Sequence, residues 1–183
     1  PGDNNFTSEA ILGLKSADNA LFVIDAIDSI KPYSENLWKL AGEEGVTRTC
    51  FINKMDRERA NFDQVLQDIT EVFEMKPLPL VLPIGAEESF AGVVDVLKKK
   101  AFLFEKDGSG AFKEAPVPAD MEDQLEEVYG KVIEDLAEVD DALMEKYLEG
   151  GELSQAELDS ALSAGLARGL FLPVFCGSAL LNM

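Results

Sequence analysis

Apolar residues along the chain follow two spacings, which predict alternating strands and helices. Continuous apolar runs at about 20–26, 47–53 and 172–177 predict buried strands of a parallel sheet. Residues 33–44 carry apolar positions at helical spacing after the first run, and residues 61–74 do so after the second, with Asn61 as the expected N-terminal cap. The order strand, helix, strand, helix predicts an α/β domain with parallel strands.

The pattern changes between the second of these helices and the last strand. Residues 77–79 contain two prolines and are interpreted as the end of the helix. Short strand-like runs follow at about 80–84, 92–104 and 112–117, and three helices are predicted to begin near Asp120, Asp140 and Ser154. The expected fold class is therefore α/β, with a partial parallel sheet of three strands formed by residues 1–76 and 171–183. Residues 77–170 are expected to form an inserted α+β subdomain.

Polar residues with a defined spacing follow the second strand. Asn53, Lys54 and Asp56 stand at the carboxyl end of that strand, which is where open α/β sheets bind ligands. The two oxygens of the Asp56 carboxylate match the N1–H and 2-amino donors of guanine, a pair that adenine does not offer. Lys54 can lay its alkyl chain along the base, and Asn53 can bond both the base edge and the loop that faces it. The spacing indicates a guanine site, and an ordinary polar turn is the alternative.

A second short loop follows the last strand and consists of Ser178, Ala179 and Leu180. In a nucleotide site its backbone N–H groups, above all that of Ala179, would face the guanine carbonyl. Because the side chains of Ser178 and Ala179 are small, a base could approach the backbone closely. This loop indicates a nucleotide site only when it is considered together with the first loop.

Charge and composition limit the possible functions. The formal net charge of −19 argues against direct binding of nucleic acid by this chain, and the absence of histidine excludes histidine-dependent catalysis and metal sites within it. Cys50 and Cys176 lie in apolar runs and are interpreted as buried free thiols of a cytoplasmic protein. Residues 120–159 carry fifteen acidic and two basic side chains, a net charge of −13. This acidic stretch is either a solvated helical face or a docking surface for a basic protein.

The two loops together resemble the fourth and fifth guanine-binding motifs of GTPases, and Pro1 and Gly2 resemble the end of the third. Asp56 and Ser178 lie 122 positions apart, whereas small GTPases join these motifs by one βαβ unit of about 30 residues. With this insertion, the chain is similar to bacterial translation elongation factor G over almost its whole length. The matching segments are FINKMDR (51–57), ANF (60–62), LPIG (82–85), GVVD (92–95), MEKYLEG (144–150) and PVFCGSAL (173–180).

The resemblance implies that the chain is part of a ribosome-associated GTPase in which GTP hydrolysis drives translocation. GTP or GDP with Mg²⁺ is the implied cofactor of the complete protein, and the acidic insertion is implied to face the ribosomal stalk protein. The residues implied to contact the nucleotide are Asn53, Lys54, Asp56, Ser178, Ala179, Leu180 and, through its amide, Gly2.

The sequence departs from the family in its phosphate-binding parts. The Gly-x-x-x-x-Gly-Lys-Ser/Thr loop and the first switch do not occur in it, and Asp3 stands where the family has a histidine that positions the attacking water. A carboxylate there would face a γ-phosphate that is already negative, so we assign no catalytic residue and expect a divergent paralogue. We interpret the chain as a fragment of a larger protein that neither binds nor hydrolyses GTP measurably by itself.

Two other functions stay open at this point. The chain could be an acidic protein-interaction module that docks on a ribosomal partner without hydrolysing GTP, or part of a ribosomal protection factor of the same superfamily. No membrane contact is expected, because no run of about 20 apolar residues occurs. The family strand order would leave one edge of the first strand unpaired here, and this edge could support self-association.

Overall fold

The computed structural model describes residues 4–183, which form two four-stranded sheets. The parallel sheet has the order β1-β2-β8-β3, and the antiparallel sheet has the order β4-β5-β6-β7. The eight strands are β1 Asn19–Asp25, β2 Thr47–Asn53, β3 Pro77–Pro79, β4 Val81–Ile84, β5 Gly92–Asp95, β6 Lys100–Phe104, β7 Phe112–Ala115 and β8 Leu172–Cys176. The α/β class with an inserted α+β subdomain is thereby confirmed.

The described residues also form six α-helices. They are α1 Thr7–Leu14, α2 Pro32–Glu43, α3 Phe62–Val72, α4 Glu122–Ala137, α5 Asp141–Leu148 and α6 Gln155–Arg168, with single 3-10 turns at Asn4–Phe6, Glu87–Ser89 and Ala119–Met121. Three of the helices begin at side-chain caps that the sequence indicates, namely Asn61, Asp140 and Ser154. Within residues 4–183, no helix is both long and apolar enough to cross a bilayer.

The three apolar runs at the start and end of the chain lie side by side, as expected. β1 pairs in parallel with β2 along its whole length, and β2 pairs in parallel with β8. β1 forms one edge of the sheet, and two of its apolar side chains, Leu21 and Val23, are each 57% exposed. The carboxyl ends of β1, β2 and β8 therefore meet at one edge of the molecule.

The parallel sheet has four strands, and the expectation of three was wrong. The fourth is β3, in which Leu78 is aligned with Pro173 of β8. Pro77 and Pro79 cannot donate backbone hydrogen bonds, but at the edge of a sheet one side of a strand needs no partner. Leu78 is fully buried between them. The parallel sheet therefore includes residues 77–79, which the expected division gave to the insertion.

An aromatic cluster fixes α2 and the end of α3 against the sheet. Trp38 stacks on Phe73, with ring centroids 4.2 Å apart, and Phe22 meets both rings edge to face. The indole N–H of Trp38 donates to the carbonyl of Phe73 at 3.1 Å. The guanidinium of Arg48 lies 3.9 Å above the Trp38 ring. Such a cluster buries large apolar areas and satisfies the one polar atom it contains.

Leu80 joins the two sheets. Its N–H donates to the carbonyl of Val174 in β8, and its carbonyl accepts from the N–H of Val96 just after β5. The apolar core continues across this junction, since Leu82, Val94 and Ala101 of the antiparallel sheet belong to the same buried cluster as the parallel strands. The inserted subdomain is therefore packed directly on the unit that carries the candidate site.

Candidate guanine-nucleotide site

Two loops meet at the carboxyl edge of the parallel sheet. We name residues 53–56 the base loop and residues 177–180 the second loop. The Asn53 side-chain oxygen accepts a hydrogen bond from the N–H of Ala179 at 2.9 Å. The N–H of Met55 donates to the carbonyl of Gly177 at 3.1 Å. Two segments more than 120 positions apart in sequence are thus joined by direct hydrogen bonds.

The role expected for Asn53 toward the opposing loop agrees with this geometry. The amide of Ala179, which was expected to face a guanine carbonyl, is engaged by Asn53 instead. A base carbonyl at this position would therefore share that donor with Asn53. Leu180 lies at the rim of the second loop with 70% of its surface exposed.

Asp56 has an oxygen without a partner. Its Oδ1 is buried and makes no hydrogen bond among residues 4–183, while its Oδ2 lies 3.6 Å from Nε of Arg57. A buried acceptor that lacks a donor costs about 1–3 kcal/mol, and more when it is charged. A ligand carrying two adjacent N–H donors, such as the edge of guanine, would satisfy this carboxylate. The residues present therefore fit a guanine base.

Lys54 pairs with an acid from a third strand end. Its ammonium group contacts Oδ2 of Asp25, the last residue of β1, and Oδ1 of Asp25 accepts from the N–H of Ile27 at 2.9 Å. Burial acts to raise the pKa of the Asp25 carboxyl, but the bond to Lys54 and the N–H groups of Ile27 and Asp28 together hold that pKa below its usual value. Lys54 itself has a positive φ of 69°. Its alkyl chain is therefore held between β1 and the base loop.

Ser178 gives the second loop its shape. Among the described residues it is the one polar side chain that is fully buried. Its hydroxyl accepts from the N–H of Leu181 at 3.3 Å, and its backbone exchanges two hydrogen bonds with Met183. A Cβ on the preceding Gly177 would lie 2.3 Å from the Met183 carbonyl, so only glycine fits there. Ser178 thus supports the loop and directs no group outward.

The structure brings together most of the residues selected from the sequence. Asn53, Lys54 and Asp56 lie on the base loop, and Ser178, Ala179 and Leu180 lie on the second loop beside it. Gly2 and Asp3, which were selected for the phosphate end of the site, lie outside the described residues.

Sequence reasoning gave no role to Asp25 or Glu87. Asp25 could have been found as the single acid in an otherwise apolar strand. Glu87, from the inserted subdomain, donates its N–H to the Met55 carbonyl at 2.8 Å and accepts from the N–H of Arg59. Its sequence neighbours give no signal for this contact, because only the fold brings them near the base loop.

The remaining reactive groups have no part in this site. Both cysteines are buried free thiols, as expected, and burial raises the pKa of Cys50 to about 12. Within residues 4–183, no three acidic, histidine or cysteine side chains are placed to hold a metal ion. The described residues therefore do not by themselves form a Mg²⁺ site.

The fold and the two joined loops define an α/β nucleotide-binding domain with its ligand edge at the carboxyl ends of β1, β2 and β8. Comparison with known families makes this class more specific. Residues 1–183 match the model of the elongation factor Tu GTP binding domain. The chain belongs to that family of translation GTPases.

One solved structure supports the same conclusion. It is a crystal structure of a protein from Thermus thermophilus, to which this chain is similar with 30% sequence identity and a TM-score of 0.90. The similarity covers 100% of this chain and 27% of the Thermus protein. The chain thus spans about a quarter of that relative's length.

Proposed function

We propose that this chain is the guanine-recognising part, with its inserted subdomain, of a cytoplasmic ribosomal GTPase of the elongation factor G type. In this proposal the longer protein binds GTP with Mg²⁺ and uses its hydrolysis for translocation. The acidic helices α4, α5 and α6 of the insertion dock on the ribosomal stalk protein. The proposal is supported by the segments inside the insertion that resemble elongation factor G, and by membership of the elongation factor Tu GTP binding domain family.

One observation carries the nucleotide part of the proposal. The buried Oδ1 of Asp56 has no hydrogen-bond partner within the described residues, at an edge where Lys54 and Asn53 are already held by Asp25 and Ala179. Guanine supplies N1–H and the 2-amino group to such a carboxylate. Adenine supplies neither donor, so it would leave the buried charge unsatisfied.

The substitution Asp56→Asn tests this proposal, because it should change the preference for the base. Xanthine carries an oxygen where guanine has the 2-amino group, and an asparagine amide can donate to that oxygen. We expect the ratio of GDP to XDP affinity to fall by about tenfold or more, which corresponds to about 1.4 kcal/mol. NMR titration of the 183-residue chain measures it, with Asp63→Asn on the exposed surface of α3 as the charge-matched control. An unchanged affinity ratio in Asp56→Asn would show that the Asp56 carboxylate does not determine the preference for the base.

The affinity of this chain should itself be weak. A few hydrogen bonds to the base contribute about 0.5–1.5 kcal/mol each, or about 1.5–3 kcal/mol when charged, whereas association costs about 4 kcal/mol or more. The balance corresponds to a Kd of about 1 mM or weaker. Calorimetric titration with GTP and Mg²⁺ tests this, and a micromolar Kd would contradict it.

The second candidate is an acidic interaction module that uses no nucleotide. It is favoured by the acidic stretch at residues 120–159, which forms α4, α5 and the start of α6. Binding to a basic ribosomal protein without any GDP-induced shift at the base loop would favour this function. A ribosomal protection factor would share both the site and the stalk contact, and a translocation assay of the longer protein separates it from a translocase.

A further inference from the structure

A turn of the inserted subdomain contacts the base loop directly. Glu87 lies in the 3-10 turn between β4 and β5, and it makes two bonds to the chain around Asp56. Its N–H donates to the Met55 carbonyl at 2.8 Å, and its Oε1 accepts from the N–H of Arg59 at 2.7 Å. We propose that Glu87 is a positioning residue that holds Asp56 in place for guanine. This inference rests on the proposed function and adds that the insertion helps to set base affinity.

The turn that carries Glu87 is constrained on its own side. Gly85 has a φ of +73°, and a Cβ there would lie 2.5 Å from the Ser89 carbonyl oxygen. The Ser89 hydroxyl accepts from the N–H of Ala86 at 3.1 Å and donates to the Ala86 carbonyl at 2.6 Å. Glu87 has a φ of 56°, a left-handed conformation that non-glycine residues rarely adopt. Glu87 is thus held in an unfavourable conformation from which both of its contacts are made.

The chain around Asp56 is constrained in a similar way. Lys54 and Arg59, on either side of Asp56, have φ values of 69° and 68°. Backbone strain in non-glycine residues is concentrated at functional sites, where surrounding contacts maintain it. The two contacts of Glu87 reach Met55 and Arg59, so Asp56 lies between them.

The Met55 peptide connects this contact to the second loop. Its carbonyl accepts from Glu87, and its N–H donates to the Gly177 carbonyl. The Met55 side chain is 1% exposed, so it cannot shift without disturbing the core. A displacement of the Glu87 turn would therefore act on the peptide next to Asp56. A partner that moved the insertion would change the base site through this contact.

Hydrogen exchange of the 183-residue chain tests the contact without any nucleotide. In Glu87→Ala the acceptor for the Arg59 N–H is lost, and we expect that amide to exchange about threefold to tenfold faster, as for loss of one hydrogen bond. Glu87→Gln retains an acceptor oxygen and should restore most of the protection. Glu88→Ala is the matched control, because within residues 4–183 the Glu88 side chain makes no hydrogen bond or ion pair with the base loop, and its carbonyl accepts from Lys106.

A second experiment measures the binding of GDP at millimolar concentrations by NMR. We expect the apparent Kd to rise by about threefold or more in Glu87→Ala and to stay unchanged in Glu88→Ala. Equal Arg59 exchange in the two alanine variants overturns the inference, and so does faster exchange with an unchanged Kd for GDP. A wild-type chain whose base loop shows no shift at GDP concentrations well above about 1 mM refutes the proposed function, and the inference falls with it. The urea midpoint of each variant shows whether its fold is intact.

Discussion

Polar groups at the carboxyl edge of the parallel sheet are few and held in place, whereas those of the inserted subdomain are many and exposed. At the sheet edge, Asp56 and Ser178 are largely buried, and backbone hydrogen bonds fix the loops that carry them. In the insertion, acids pair with lysines at the surface, as in Lys99–Glu126, Lys100–Glu114, Lys113–Glu105 and Lys131–Glu127. The two proposed roles make different demands, since recognition of one base would need accurate placement of few atoms and docking of a basic protein would need only many charges of one sign.

Surface ion pairs and the apolar core contribute unequally to the stability of the two regions. Surface ion pairs stabilise a fold by at most about 1 kcal/mol each. Buried apolar side chains contribute more, and both regions share one continuous apolar cluster. The stability of the two regions should therefore depend on their common core and hardly at all on the charges that distinguish them.

The largest effect is expected from truncation of that core at β8. Leu172→Ala removes a fully buried side chain from the strand between β2 and β3, and it should lower the free energy of unfolding by about 2–5 kcal/mol. Urea denaturation followed by fluorescence of Trp38, the only tryptophan, measures it. Leu148→Ala is the control, since Leu148 is 76% exposed. If circular dichroism showed a separate transition for the insertion, the two regions would not share one cooperative core.

Helix caps offer a matched pair, one in each region. The side chains of Asn61, at the start of α3, and Ser154, at the start of α6, each accept a backbone N–H of the first turn. Replacing either with alanine should cost about 0.5–2 kcal/mol. Only Asn61→Ala should also shift base-loop resonances, because the Asn61 N–H is bonded to Ala26 beside β1. Base-loop shifts of equal size in both variants would argue against a separate site unit, and Ser163→Ala within α6 is the control for loss of a hydroxyl.

A smaller effect concerns the acid dependence of the sheet edge. The pKa of Asp25 is lowered in the folded chain, so its stabilising contribution is present above the usual pKa near 3.8 and is lost as the pH falls through the lowered value. Lys54→Met removes the ammonium partner and should bring the Asp25 pKa back up. NMR titration of the Asp25 carboxyl measures it. Lys131→Met in the insertion should leave that pKa unchanged, and an unchanged value in Lys54→Met would mean that the ion pair does not form in solution.

The smallest effect is expected at the surface of the insertion. Lys131 and Glu127 form an exposed pair one helical turn apart on α4. Replacing Lys131 by glutamine should change the free energy of unfolding only slightly, and added salt should abolish the difference. Urea denaturation at low and high ionic strength is the measurement. A large loss of stability that added salt did not abolish would mean that surface charge in the insertion contributes to the stability of the fold.

The sequence predicts the parallel core well, because its strands are continuous apolar runs with no competing interpretation. β3 was missed because its two prolines usually end an element, and only its place at a sheet edge makes them acceptable. The burial of Trp38 was not foreseen either, since its three aromatic and cationic neighbours come from separate elements. In each case the missing information is a contact between distant segments.

In the candidate site, too, the local sequence predicts the residue types but not the contacts between distant segments. The spacing of Asn53, Lys54 and Asp56 indicates their chemistry, because the residue types alone match a guanine edge. Asn61 caps α3 as expected by accepting from the N–H of Gln64, while the Gln64 side chain bonds Asp68 one turn further on. The contact from Glu87 depends on how the insertion packs, which no local pattern encodes.

The pairing of β3 with β8 also matters for the entropy of the unfolded chain. Leu78 and Pro173 are aligned in the sheet, although 94 residues separate them along the chain. Closing so long a loop from a disordered chain is entropically costly, and the cost grows with the logarithm of its length. A folded insertion keeps its own two ends close together, because β4 follows β3 after a single residue and α6 ends four residues before β8. For the sheet, the insertion then acts as a short rigid linker, so the final strand has a much smaller volume to search before it meets its neighbours.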